Sequence, residues 1–358
     1  MNGLLDLEFE NRKINLVCFV FRFTGNDWWD VLEYSGKYDL FKVPTGWYCG
    51  FYDIFQMPCL AGWEGAQYMS NDEVKGQNLI TIDPLGHCQA AADFFKPHLI
   101  EGRSLLPIAQ SLQLYGVRDV SRDFKDVTFY VMSSDDKAGN FWTTLDDFPV
   151  SQAKDFYLQD GGVLSETSSA DSSDSSTSFV HDPSDPVPSQ VFVTFLKSNL
   201  FSFFKQGGNN LNIPCGPLDQ SEVEERADNI VFSSGVLEED LVLTGPMFAT
   251  LFVSSDAVDT DFMVKISDVL PSGESRLLMD NAFRMRWREM LSEPTMMEEG
   301  EIYEISLNMW NTSYVFPAGH QLRVSVSSSN YPRFSINPNN GRMLKDEDFT
   351  MVLDLIVD

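Results

Sequence analysis

The chain has 358 residues, room for two ordinary domains, and its 43% hydrophobic and 13% aromatic content calls for packed interiors rather than general disorder. Its 53 acidic residues against 25 basic ones leave a formal charge of −28, the wrong sign for binding nucleic acid or an anionic membrane surface. The five cysteines are scattered without C-x-x-C spacing, which argues against a disulfide framework or a zinc knuckle and for a reducing compartment.

Taken in order, residues 1–26 have strand composition without clean alternation, and acidic residues together with Arg22 set them apart from a secretory leader. No apolar run reaches membrane-span length, so a cytoplasmic location is expected. From Asp27 an aromatic-acidic stretch leads to a strand over 43–50, the acid Asp53 and a helix over 54–69. A second strand over 78–82 runs into Pro84-Leu85-Gly86-His87. Two strands around a helix make a βα unit of a parallel sheet, an architecture that presents side chains at the carboxyl ends of its strands. A polar helical stretch over 103–114 and a further strand over 126–133 complete this part.

Near Phe148-Pro149 the character changes to short alternating runs. Residues 165–178 form an acidic Ser-rich insert that cannot pack a core and is expected to be disordered. Strands are predicted over 247–254, 261–269, 302–307, 321–327 and 350–357, separated by Pro, Gly or Asn turns. Many short strands at this spacing predict an antiparallel sandwich.

Asp53 and His87 carry the candidate chemistry. Alone, Asp53 reads equally well as a helix cap and His87 as a polar turn residue. Together, an acid and then a histidine on consecutive strand ends form a candidate acid–base pair, the acid orienting the imidazole and the imidazole moving the proton. His98, His181 and His320 lack such a context, and no two histidines have metal-ligand spacing, so neither metal nor cofactor is expected. A hydrolase triad of this order needs a serine on a Gly-x-Ser-x-Gly elbow before the acid. Ser35 has no such context, and Gly102-x-Ser104 and Gly273-x-Ser275 are half-motifs that follow His87. Cys18 and Cys49 precede the acid without an elbow either.

V-P-T-G-W-Y-C-G-F-Y-D-I-F followed by D-P-L-G-H resembles the serine hydrolases of the cocaine esterase and X-Pro dipeptidyl-peptidase type. The stretches L-E-E-D-L-V-L-T-G-P, V-S-S-D-A-V-D-T-D-F-M-V-K-I-S-D-V-L-P-S-G and P-A-G-H-Q-L-R-V-S-V-S-S-S-N-Y-P-R-F-S-I-N-P-N-N-G resemble the C-terminal jelly-roll of the same family. Phe51 stands where the family usually has Trp, and Asp83 where it has Gly. The resemblance implies a partial α/β-hydrolase sheet over 1–147, followed over 148–358 by a jelly-roll, galactose-binding-like β-sandwich. It implies that Asp53 orients His87 as general base and acid toward an ester, an amide or an X-Pro peptide. The nucleophile would come from a missing N-terminal hydrolase half, and a homo-oligomer is the other partnership expected. The rival expectation is a non-catalytic chain whose jelly-roll is a binding or assembly module.

Overall fold

The structure, a computed structural model, describes residues 6–9, 12–15, 36–86, 125–148, 152–168, 176–190, 216–289 and 293–342. It is mostly β, with two six-stranded sheets and few helices. A short hairpin, β1 (Asp6–Phe9) and β2 (Arg12–Asn15), stands apart from both sheets.

The first sheet begins with β3 (Gly46–Tyr52), crosses over through α1 (Gln56–Met69) to β4 (Leu79–Gly86) and continues with β5 (Val127–Ser133), all three parallel. β6 (Phe141–Leu145) runs antiparallel on β5. Every residue of β4 is buried, as expected of a parallel strand covered on both faces. Helix α1 tolerates Pro58 because it lies in the first turn, where a missing N–H costs little. Gly62 faces the Trp47 ring so closely that a Cβ there would come within 2.5 Å of it. The helix lies tightly on β3 at that point.

The sheet then takes in strands from far along the chain. β13 (Tyr303–Phe316) pairs parallel with β5 through Tyr314↔Met132 and Val315↔Ser133, and β10 (Leu241–Val253) pairs antiparallel with β13. In β10, Met247 and Leu251 are buried while Phe248 and Phe252 are exposed, the alternation of a one-sided strand. The second sheet has the order β12 (Ser275–Arg284), β11 (Asp261–Val269), β14 (Gln321–Ser327), β9 (Asn229–Ser233), β8 (Val163–Ser165), β7 (Tyr157–Gln159). A single turn, α2 (Ser221–Glu224), packs beside β9.

The predicted strands over 261–269 and 321–327 are observed at those bounds, and those over 247–254 and 302–307, but for Ser254 and Ile302, fall within the longer β10 and β13. The expected strand over 350–357, the helical stretch over 103–114 and residues 169–175 of the Ser-rich insert lie outside the described residues. Apolar side chains from both sides of residue 147 pack in one contiguous core, from Trp47, Trp63 and Ile80 to Val264, Met309 and Val326.

Polar contacts tie the same seam. Gln56, fully buried at the start of α1, donates to Asn311 O at 2.8 Å and accepts from Asn311 N at 2.8 Å, clasping the backbone of β13. Asp268 on β11 is also fully buried. It accepts hydrogen bonds from Ser134, which follows β5, and from Tyr314 on β13, and lies 2.8 Å from His320 Nδ1. Burial, and next the Asp268 charge, push the Tyr314 phenol well above its ordinary value, so it remains a donor. Asp268→Asn keeps the side-chain shape but puts an NH₂ group among these donors. It should lower unfolding stability by about 2–4 kcal/mol, read from the urea midpoint. A change within about 0.5 kcal/mol, the range of an ordinary surface substitution, would show that the carboxylate does not hold the seam.

Candidate active site

β3 and β4 end side by side. Their register runs Gly50↔Asp83 and then Tyr52↔Gly86, so two residues of β3 are matched by three of β4. The extra residue falls at Pro84-Leu85, where a bulge absorbs a proline that has no N–H for the ladder. Gly50 makes the bulge possible. A Cβ at Gly50 would lie 1.9 Å from Leu85 O and 2.6 Å from Asp83 Oδ1, so any side chain there would displace the turn. Both strands therefore end at the same edge of the sheet, β3 at Tyr52 with Asp53 directly after it and β4 at Gly86. His87 itself lies outside the described residues.

Asp53 is half-buried in the turn between β3 and α1. Its N–H donates to Gly50 O at 3.1 Å, its carbonyl accepts from Gln56 N at 3.0 Å, and its Oδ1 accepts from Phe55 N at 2.9 Å. That is an Asx turn, which leaves Phe55, without a side-chain cap, as the residue flanking the helix. The helix-cap reading of Asp53 thus applies to the turn before α1. Asp83, where the family resemblance has glycine, is buried; it accepts from the Tyr48 hydroxyl and, at 2.9 Å, from Leu85 N. Its charge is thereby fixed against the bulge.

Cys49 reports on the electrostatics of this edge. Its hydrogen bond with Cys59 and its burial push the thiol well above its ordinary range, and the Asp53 and Asp83 carboxylates add to the rise. A buried neutral thiol amid negative charge is a poor nucleophile, in keeping with the absence of an elbow around Cys49.

The remaining histidines divide. His181 Nε2 lies 3.2 Å from Asn337 O, and His98 is outside the described residues. His320, without a local partner in sequence, is brought against Asp268 by the fold. The two are 52 positions apart, Asp268 on β11 and His320 in the turn before β14, and no short motif joins them, so sequence spacing had no means of finding the pair. Among the described residues no cluster of His, Cys, Asp or Glu could hold a metal ion, and no helix is long and apolar enough to cross a membrane.

The site is thus the end of a parallel βαβ unit bearing an acid, joined to a second, largely antiparallel sheet. The chain matches the X-Pro dipeptidyl-peptidase C-terminal non-catalytic domain over residues 120–354, and it belongs to that family. It is 38% identical over 245 residues to the cocaine esterase of Rhodococcus sp. (strain MB1 Bresler), a match covering 65% of this chain and 39% of the esterase. Its fold is similar to that of an α-amino acid ester hydrolase, with a TM-score of 0.73, 22% identity, and coverage of 89% of this chain and 54% of that one. An aminopeptidase from a marine sediment Thaumarchaeota archaeon gives a TM-score of 0.68 at 22% identity, covering 89% of this chain and 53% of the aminopeptidase. The chain thus spans well under two thirds of each of these relatives.

Thiol chemistry gives a direct check of the edge. At pH 8.5 an ordinary exposed thiol is about half thiolate. Cys49, with its thiol raised, should resist iodoacetamide in the native chain at that pH and react only in denaturant, as read by peptide mass. Native-state alkylation of Cys49 would mean that the edge is open or its carboxylates are elsewhere.

Proposed function

We propose that this chain serves a serine acyl hydrolase of the cocaine esterase and X-Pro dipeptidyl-peptidase type, supplying the acid and the histidine but not the nucleophile. Asp53 orients His87, and His87 takes the proton from a serine carried outside this sequence and returns it to the leaving group. The substrate class is an ester, an amide or an X-Pro peptide. In this reading residues 1–147 form the hydrolase-sheet part with its acid and histidine turns. Residues 148–358 form a jelly-roll, galactose-binding-like sandwich that braces it. The observation that carries the proposal is the parallel pairing of β3 and β4, which ends at Tyr52↔Gly86 and places Asp53 at the sheet edge beside the residue before His87.

The test has two arms. The purified chain alone should neither hydrolyse an activated ester above background nor react with a fluorophosphonate, since its sequence has no Gly-x-Ser-x-Gly elbow to accompany the pair. Stoichiometric labelling of a serine in this chain would overturn the proposal. In the second arm, the chain is co-expressed with the first half of a family hydrolase that carries the nucleophile elbow but lacks its own acid and histidine. Hydrolysis should appear, and Asp53→Asn should reduce it by about 10⁴-fold, the loss typical of a triad acid replaced by its amide. Complex formation without hydrolysis would favour the non-catalytic reading, in which the sandwich is a binding or assembly module.

A further inference from the structure

A second polar site lies inside the molecule, at the junction of the two sheets. A cavity of about 30 Å³ is lined by Tyr52 from β3, Lys265 from β11, Asp280 from β12, Trp310 from β13, and by Gln220 and Arg333. This volume suits one or two waters or the polar end of a small molecule. Lys265 is 3% exposed, and its Nζ has one acceptor among the described residues, Gln220 Oε1 at 3.1 Å. An ammonium has three N–H groups, so two remain for the cavity. Arg333 donates from Nη2 to Asp280 Oδ1 at 2.9 Å, and its Nε–H, without a partner among the described residues, is buried out of reach of a group in the cavity. The second oxygen of Asp280 accepts from Asn330 Nδ2 at 2.9 Å, so that carboxylate is occupied on both sides.

The charges do not balance within the protein. Asp280 offsets Arg333, and no carboxylate lies within ion-pair distance of Lys265 among the described residues. Burial lowers the Lys265 pKa to about 8; the Arg333 charge contributes to the lowering, while Asp280 and Glu224 oppose it. Burying a cation without a counter-ion is costly, and so is a buried N–H without an acceptor.

One wall is built with strain. Trp310 has φ +68, a left-handed conformation unusual for a tryptophan, and it lies where β13 carries one residue more than β10 between Pro246 and Phe248. Such outliers persist where the surroundings hold them, and this one places an aromatic residue in the cavity wall.

We propose that this cavity is a binding site for a small monocarboxylate, which accepts hydrogen bonds from the two spare N–H groups of Lys265 Nζ and sets its alkyl end against Trp310 and Met279. One negative charge balances the site, and the small volume favours a short acid. This inference is independent of the hydrolase reading, because neither His87 nor a serine takes part.

The test uses the full chain and sodium acetate, with sodium chloride at equal ionic strength as the anion control and pivalate as the size control. Isothermal titration at pH 7 should give saturable 1:1 binding of acetate, with pivalate at least tenfold weaker. The anion selects the protonated amine. Above pH 8 the empty site is neutral at Lys265, and acetate affinity should fall about tenfold per pH unit. Lys265→Met, which replaces a buried cation by an apolar side chain of similar length, should retain the fold and lose acetate binding by at least tenfold. The proposal is overturned if acetate binds no better than chloride, or if its affinity is unchanged from pH 7 to 9. Unaltered binding in a folded Lys265→Met variant would overturn it as well. The pH series needs no variant, so a misfolded mutant would not leave the question open.

Discussion

The Asp268 carboxylate is the contact on which the rest of the structure most depends. A fully buried charge survives only when its surroundings are complete, and the partners of this one come from three places. Ser134 follows the last strand of the parallel set, Tyr314 belongs to the strand that extends that set, and His320 opens the turn into the second sheet. The carboxylate therefore acts as a check on assembly: its donors are together only when β5, β11 and β13 are all in register. The β5–β13 ladder is only two residue pairs long, too short to fix that arrangement alone. Gln56, which clasps Asn311 from the start of α1, provides the second tie across the seam.

The candidate acid edge depends on a different constraint, the close approach of two strands. Gly50 has no side chain, so Leu85 can approach, and the bulge this permits ends β3 and β4 opposite one another. Asp83 fills part of the space and is held by Tyr48 and the Leu85 N–H, so its negative charge stays close to the edge without being the residue at the strand end. The result is a compact acidic environment around Cys49, in which a thiol stays protonated.

The seam and the edge meet at Tyr52. Its backbone is the last step of β3 before Asp53, while its hydroxyl donates to Leu277 O at 3.2 Å on β12 and its side chain borders the cavity that holds Lys265 and Arg333. Changes in that cavity thus adjoin the residue next to the acid. The second sheet is more than a prop: β11 carries Asp268 toward the seam and Lys265 toward the cavity, three residues apart and so on opposite faces of the strand.

By itself the sequence determined the local elements that rest on periodicity and punctuation. The alternation in Gln321–Ser327 and the helix behind Asp53 were legible, as was Asp53 at a strand end, whereas Pro84 and Gly86, which punctuate the sequence like a turn, lie within β4. The long motifs likewise pointed to the family. What only the tertiary structure decided is partnership. Alternation reports which face is buried, not which strand lies alongside, because backbone ladders are chemically the same for every strand. Nothing in Val127–Ser133 marks Tyr303–Phe316 as its neighbour, and Ser275–Arg284, with Asp280 and Asn281 mid-strand, does not read as a strand at all. The Asp268–His320 pair and the Lys265 cavity lay beyond sequence reasoning for the same reason. Each joins residues far apart in the chain, and only the packing of one sheet on the other gives them a common environment.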